Sequence, residues 1–283
     1  MNWLFDGITE WIRQFFIDGI MASFAGIFGY VNDQVADITV QVGQTPAGWN
    51  AGVFAMIRNL SETVVLPIAG MILTFVLCYE LIQLILEKNN LQDFDTFNIF
   101  KWIFKTFIAV FILTNTFNIV MAVFDMAQSV INASAGLITG STNLGNADMM
   151  TALEATMQGM GIGELMGVWL QIQLIGFAMF IMSIIIFIVV VGRMLEIYLI
   201  VSVAPIPLST MVNREWSSVG NNYLKALLAV AFQGFLIIVC VAIYAVLVGS
   251  IANAANIHVA IWTVVAYTAL LSFMLLKTGA YAY

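Results

Sequence analysis

The stretch that decides the fold is LMGVWLQIQLIGFAMFIMSIIIFIVVVG, from Leu165 to Gly192, which contains no charged residue. About 20 consecutive apolar residues are enough to cross the hydrocarbon core of a bilayer as an α-helix. The run is longer than that, so it predicts a membrane span over about 167–192. A helix also satisfies its own backbone hydrogen bonds, which lipid cannot do.

The composition extends this prediction to the whole chain. Of the 283 residues, 62% are hydrophobic and only 9% are charged, whereas about 25% are charged in an ordinary soluble domain. The net charge of -7 comes without any basic stripe that could hold a phosphate backbone. These values exclude a soluble globular protein, a disordered chain and a sequence-reading nucleic-acid binder. They predict an all-α polytopic membrane protein.

Four further apolar runs predict the other spans, which lie at about 63–86, 106–124, 226–250 and 259–276. A sixth apolar segment, 197–212, contains Pro205 and Pro207. Two prolines remove backbone donors and clash with the preceding turn, so a straight helical crossing there is not expected. The segment predicts a re-entrant element, and the chain is predicted to cross the membrane five times.

The distribution of Lys and Arg predicts the orientation, because these residues accumulate in cytoplasmic loops. With five crossings, Arg13 and Arg58 lie outside, and the other seven cations lie inside: Lys88, Lys101, Lys105, Arg193, Arg214, Lys225 and Lys277. If 197–212 crossed fully, the split would be four to five. The count therefore predicts an outside N-terminus, an inside C-terminus and an acidic outer loop over 125–166.

The chain is predicted to divide into an N-terminal region, 1–62, and a transmembrane domain, 63–283. In the first region, Leu4, Ile8, Trp11, Ile12 and Phe15 share one helical face. This pattern predicts an amphipathic helix, which either lies in the membrane interface or packs on the bundle. Residues 43–48 then interrupt the helix with glycine and proline.

No motif indicates catalysis or cofactor binding. Cys78 and Cys240 lie in apolar runs, and His258 has no Cys, Asp or Glu within five residues. No nucleophile-elbow, zinc-protease or phosphate-loop pattern occurs. We expect no enzyme activity, no cofactor and no metal site.

A polar stripe follows the second predicted span into the outer loop. Its members recur at helical spacing: Asn115, Asn118, Asp125, Ser129 and Asn132. Such groups need water or partners when they lie in a membrane. Two interpretations stay open: the stripe lines an aqueous path, or it makes hydrogen bonds between helices and continues into solvent.

Three charged residues lie at or inside predicted spans. Glu80 lies within its span, where a carboxylate must face protein or water. It is either a proton or ion relay or a structural partner for Arg193 or Lys105. Arg193 and Glu196, three residues apart at the end of a span, predict a boundary ion pair.

Gly159, Gly163 and Gly167 form a small-residue ladder at intervals of four residues. Ladders of this kind let two membrane helices approach closely. The ladder is a candidate helix-packing face.

Residues after the third span carry a resemblance to a known family. The carrying segments are Arg193 to Leu199, Ala204 to Leu208 (APIPL), Glu215 and Trp216, Asn221 to Lys225, and Phe232 to Gly234. They resemble the TrbL-type family of polytopic inner-membrane subunits of type IV secretion and conjugation machines, in the branch found in Gram-positive conjugative elements.

The resemblance implies a plasma-membrane channel subunit that forms a homo-oligomeric ring. It implies a conjugation ATPase and a bitopic scaffold subunit as partners, and single-stranded DNA with its relaxase as the cargo. Two alternatives stay open: a membrane subunit of a small-molecule transporter, and a structural anchor for the ATPase.

Overall fold

The computed structural model describes residues 2–86, 96–136, 147–249 and 257–282, and every regular element in these ranges is a helix. The apolar composition therefore folds as the sequence predicts, into an all-α polytopic membrane protein. The elements are α1 (Asn2–Val42), α2 (Pro46–Trp49), α3 (Ala51–Leu60), a π-helical segment (Ser61–Val65), α4 (Leu66–Leu86), α5 (Thr96–Thr114), α6 (Thr116–Ala135), α7 (Ala147–Gln158), α8 (Ile162–Val203), α9 (Pro205–Thr210), α10 (Ser217–Gly249) and α11 (Ile257–Ala282).

Six helical stretches in the described residues are long and apolar enough to cross a membrane. Five of them overlap the predicted spans. The sixth is Gly7–Val42, which belongs to α1. By length and composition, the prediction of five spans is thus one short.

The N-terminal region begins with one continuous helix rather than a short interfacial one. Near the N-terminus of α1, the predicted apolar face is exposed at Ile8, Trp11 and Phe15. These three side chains do not pack on the bundle, which leaves the interfacial interpretation for this part of α1. The predicted break follows directly, because α1 ends at Val42.

The second predicted span, 106–124, is divided in the structure by a one-residue irregularity at Asn115, and its boundaries stay a prediction. The structure ends α5 at Thr114 and starts α6 at Thr116, so the break falls inside the predicted span, and the candidate stretch is Phe97–Thr114. The Asn115 side chain donates to the Phe111 carbonyl at 2.9 Å, and Thr116 donates to the Ile112 carbonyl at 3.0 Å. Side chains that bond back to the preceding turn compete with the helical ladder and bend helices.

The helices form two compact units. The first unit contains Met1–Gly43, Ile131–Val191 and Leu236–Thr278. Its core includes residues of α1 at intervals of three and four, from Ile17 and Ile20 to Ile38 and Val42. That spacing places one continuous apolar face of α1 inside the unit.

Within the first unit, α1 runs parallel to α8. Phe16 packs edge to face on Trp169, with ring centroids 6.3 Å apart. Further along, Gln34 and Gln41 share a cavity with Ser183 and Val190. Residue numbers therefore increase in the same direction along both helices.

The second unit contains Gln44–Val130, Gly192–Phe235 and Gly279–Tyr283. Its larger core combines residues of α3, α6, α8 and α10, among them Ile57, Phe124, Ile197 and Leu227. A smaller cluster joins α4 and α5 through Leu73 and Leu113. These cores fix the surfaces described below.

Candidate functional site

The polar stripe of α6 lies on the outward face of the helix. Asn118, Asp125, Ser129 and Asn132 are exposed, and Asn115 is half-buried. The opposite face is buried, with Phe117, Val120, Phe124, Gln128 and Ile131 at intervals of three and four. The two faces follow from the helical period: one set of positions meets the core and the other leaves it.

The hydrogen bonds described for the stripe are mainly local. Ser129 donates to the Met126 carbonyl at 2.9 Å, and Asn115 donates within its own helical turn. Asn132 lies close to α1, because a Cβ atom on Gly43 would lie 2.9 Å from its Oδ1 atom. For Asn118, Asp125 and Ser129, exposure favours a surface that meets solvent or another molecule over bonding between helices of this chain.

The predicted proline segment, 197–212, contains a helix break, but its first seven residues are still helical. Residues 197–203 continue α8, the helix stops at Ala204, and α9 begins at Pro205. Pro205 and Pro207 are both buried, and Ile206 packs on the small cluster of α4 and α5. We call Ala204–Thr210 the proline elbow.

The proline elbow reverses the chain within the second unit. Beyond it, Tyr223 of α10 lies beside Ile200 of α8, and Leu227 packs in one core with Ile197. Because α10 returns along α8, the elbow turns the chain back within the second unit.

One backbone carbonyl freed at the break, that of Ile200, has a side-chain partner on α10. The Ala204 amide donates to the Val201 carbonyl at 3.3 Å instead of continuing the α-helical ladder to Ile200. The Tyr223 hydroxyl donates to the Ile200 carbonyl at 3.1 Å. Buried carbonyls without partners are costly in a membrane, so this bond stabilises the break.

Gly220 allows α10 to begin against the elbow. A Cβ atom there would lie 2.0 Å from Met211 Cγ and 2.7 Å from the Pro207 carbonyl oxygen. The methionine side chain can move, but the backbone oxygen is held by the elbow. The close approach therefore requires glycine.

Glu80 forms an ion pair with Lys105, so the structure selects one of the partners that the sequence offered. The carboxylate lies on α4 and the ammonium on α5, and both are partly exposed. This contact favours the structural role of Glu80 over the relay. The alternative pairing with Arg193 does not occur.

Arg193 is buried in α8, with 4% of its surface exposed. Its Nε atom has no hydrogen-bond partner among the described residues, and the opposite charge of Glu196 acts on it. Arg193 and Glu196 lie three residues apart on α8, with the guanidinium buried rather than at a solvated boundary, and the ion pair between them stays a prediction.

The structure does not place the three glycines of the ladder on one helix, and the packing face stays a prediction. Gly159 lies in the turn after α7, whereas Gly163 and Gly167 lie in α8. Nothing would lie within 4 Å of a Cβ atom on Gly163 or Gly167, so neither packs closely within the chain. Helix α7 ends at Gln158. The Arg13 guanidinium donates to the carbonyls of Gln158 and Met160 at this end.

The structure also reveals a polar surface that the sequence reading missed, the α1–α8 groove. It consists of two cavities of about 320 and 120 Å³ that share Ser183. The polar and small lining residues are Ser23, Gly26, Tyr30, Gln34, Asp37 and Gln41 from α1, with Gln173, Gly176 and Ser183 from α8. The signal was present as polar residues at intervals of three and four, but the apolar residues of α1 hid it.

The comparisons with known proteins give one match. Residues 31–205 match the model of a family described as TrbL/VirB6 plasmid conjugal transfer like protein. No curated protein and no solved structure matches the chain.

Proposed function

Because the chain belongs to the TrbL/VirB6 plasmid conjugal transfer-like family, we propose that this multi-pass membrane component of conjugal transfer is a channel subunit. It contributes to the path for single-stranded DNA and its relaxase. The proposal includes no catalytic step. Its partners are a conjugation ATPase, a bitopic scaffold subunit and further copies of the chain in a ring.

The observation that carries the proposal is the outward polar stripe of α6. Asn118, Asp125 and Ser129 are exposed on a helix whose other face is buried in the second unit. Exposed polar side chains on a membrane helix are stable where they meet water or another polar surface. In a ring of subunits, the axis offers such a surface.

The chemistry of the stripe suits transit rather than retention. A conduit needs contacts weak enough for the passing molecule to leave. Amide and hydroxyl groups hold a phosphate backbone weakly, whereas a row of cations would trap it. The stripe contains no cation, and Asp125 would keep DNA at a distance.

Cysteine cross-linking tests the lining face. In a background without Cys78 and Cys240, a cysteine replacing Asn118 should cross-link to its copy in a neighbouring subunit or to transferring DNA carrying a thiol-reactive group. A cysteine replacing Ile119, on another face of α6, is the matched control. If the control reacts efficiently and the Asn118→Cys variant does not, the assignment of the lining face is wrong.

Mating assays test the function itself. An in-frame deletion should abolish transfer while growth and small-molecule uptake stay unchanged, and the intact gene should restore transfer. A change in uptake would favour a transporter instead. A monomeric mass for the detergent-solubilised protein would contradict the ring.

The orientation belongs to the same proposal. Arg13 donates to the carbonyls of Gln158 and Met160, just before α8 begins. The N-terminal part of α1 therefore lies on the same side of the membrane as residues 158–160. The charge count places that side outside. If the spans 63–86 and 106–124 both cross, an added crossing by α1 would run antiparallel to α8. Because α1 runs parallel to α8, a crossing by α1 requires an odd number of crossings between the two helices.

Thiol labelling tests the orientation. Cysteines replacing Asn143 and Asn256 should label from outside intact cells, and one replacing Asn221 should not. Labelling of the Asn221→Cys variant from outside would mean that the proline elbow crosses the membrane.

A further inference from the structure

The outward face of α1 differs from the outward face of α8, its neighbour in the first unit. Along α8, large apolar side chains are exposed, among them Leu174, Phe177, Ile181 and Ile188. These suit contact with lipid tails. Along α1, no large hydrophobic side chain is exposed between Asp18 and Thr39, whereas Phe15 and Val40 on either side of this stretch are exposed.

Small and acidic residues form the outward face of α1 instead. The exposed positions in this stretch are Asp18, Ala22, Ala25, Gly26, Asp33, Ala36 and Asp37. No Lys, Arg or His occurs between Arg13 and Arg58 to neutralise the carboxylates. Ionised carboxylates are costly in lipid, so this face requires water or a polar partner.

The α1–α8 groove adds an independent observation. The Tyr30 hydroxyl is buried and faces Ser183, but it makes no direct hydrogen bond among the described residues. Buried hydroxyl groups in native structures almost always have a partner, and ordered water supplies it where protein does not. Water that enters the groove would supply a partner for this hydroxyl.

The groove has the size and polarity that water needs. Its larger cavity measures about 320 Å³, and a water molecule occupies about 30 Å³ in the liquid. The cavity offers Ser23, Tyr30, Gln173 and Ser183 as hydrogen-bonding groups. The smaller cavity continues it with Gln34, Asp37 and Gln41. The larger cavity also has apolar walls, formed by Ile27, Ile172, Met179 and Phe180, so water there would depend on the polar groups just named.

We infer that the α1–α8 groove and the outward face of α1 form the acidic wall of an aqueous cavity, while the outward face of α8 meets lipid. The wall contacts water and favours cationic over anionic solutes. This inference goes beyond the proposed channel function and does not depend on it, because solvent access can be measured without transfer.

Thiol chemistry on the full-length protein in membranes tests the inference. In a background without native cysteines, Gly26→Cys and Ala36→Cys place thiols on the wall. Leu174→Cys and Ile181→Cys place matched thiols on the outward face of α8. The probes are two methanethiosulfonate reagents of similar size, one a quaternary ammonium and the other a sulfonate.

We expect the wall thiols to react and the α8 thiols to stay unmodified. The cationic reagent should react with the wall at least about tenfold faster than the anionic one, since acidic surfaces concentrate cations. Asp33→Asn with Asp37→Asn should reduce that ratio several-fold. High salt should reduce it as well.

Two results would overturn the inference. Wall thiols as unreactive as those on α8 would mean that lipid or protein covers this face. Equal rates with the two reagents would mean that the wall does not act as an acidic surface. A wall that labels as expected in a protein dispensable for mating would contradict the proposed function and leave this inference standing.

Discussion

The proline elbow and the α1–α8 groove both place polar groups among apolar helices, but they treat these groups in opposite ways. In the elbow, the Ile200 carbonyl released by the break is bonded by Tyr223, and both prolines are buried. In the groove, the Tyr30 hydroxyl lacks a direct partner and opens on a cavity. The elbow is closed by protein, and the groove is left open.

This difference separates structural polar groups from functional ones. A buried polar group contributes to stability when its partner is fixed, and it destabilises when the partner is removed. An exposed polar group contributes little to stability and is free to contact solvent or cargo. Substitutions should therefore reduce stability most at the elbow and least on the groove and the α6 stripe.

The largest loss of stability is expected for Gly220→Ala. The added methyl group would lie 2.7 Å from the Pro207 carbonyl oxygen, so α10 and the elbow must separate. Forced overpacking of this kind costs about 1–3 kcal/mol. Thermal unfolding in detergent measures the effect. Gly70→Ala is the matched control, because nothing lies within 4 Å of its Cβ position. Equal midpoints for the two variants would contradict the close contact.

A smaller loss is expected for Tyr223→Phe. The substitution leaves the Ile200 carbonyl without its partner at the break and keeps the ring. Leaving one buried acceptor unbonded costs about 1–3 kcal/mol, and the lower end applies because the group is partly buried. The same unfolding assay measures the loss. An unchanged unfolding midpoint would show that the Ile200 carbonyl does not need the hydrogen bond from Tyr223.

The Glu80–Lys105 pair should contribute less again. Both side chains are partly exposed, and ion pairs in contact with solvent contribute about 1 kcal/mol or less. Glu80→Gln should lower the midpoint slightly and leave transfer intact. The exchanged pair, Glu80→Lys with Lys105→Glu, should recover part of the loss. If Glu80→Gln abolished transfer without lowering the unfolding midpoint, the result would favour a proton or ion relay at Glu80 over a structural role.

The fold could be predicted from the sequence where long apolar runs dominate. The run from Leu165 to Gly192 lies inside α8, and the break at Pro205 follows from the missing backbone donors. The irregularity at Asn115 was not predicted because it depends on side chains bonding back to the helix, which hydropathy does not register. The length of α1 was missed because its polar residues lower the local hydropathy.

The candidate site was predictable only on α6. Asn118 and Asp125 stand out because they interrupt an apolar run at helical spacing. On α1, Tyr30, Gln34 and Asp37 are equally regular, but their meaning depends on Ser183 of a helix far away in the sequence. The glycine ladder is interrupted by the turn after α7, which Arg13 contacts, and the spacing of the glycines alone does not show this turn.

The smallest effect on stability and the largest on transfer are expected on the α6 stripe. Asn118 and Asp125 are exposed, and surface substitutions away from packing features stay within about 0.5 kcal/mol. Asn118→Leu should therefore unfold at the same temperature as the native protein. Transfer should nevertheless fall. One leucine from each subunit would line the axis and form a dry constriction, and hydrophobic constrictions close pores by dewetting. Ile119→Leu, on another face of the same helix, should leave both properties unchanged. Mating frequency measured beside the unfolding midpoint separates the two effects. Full transfer in Asn118→Leu would show that this face does not line the path.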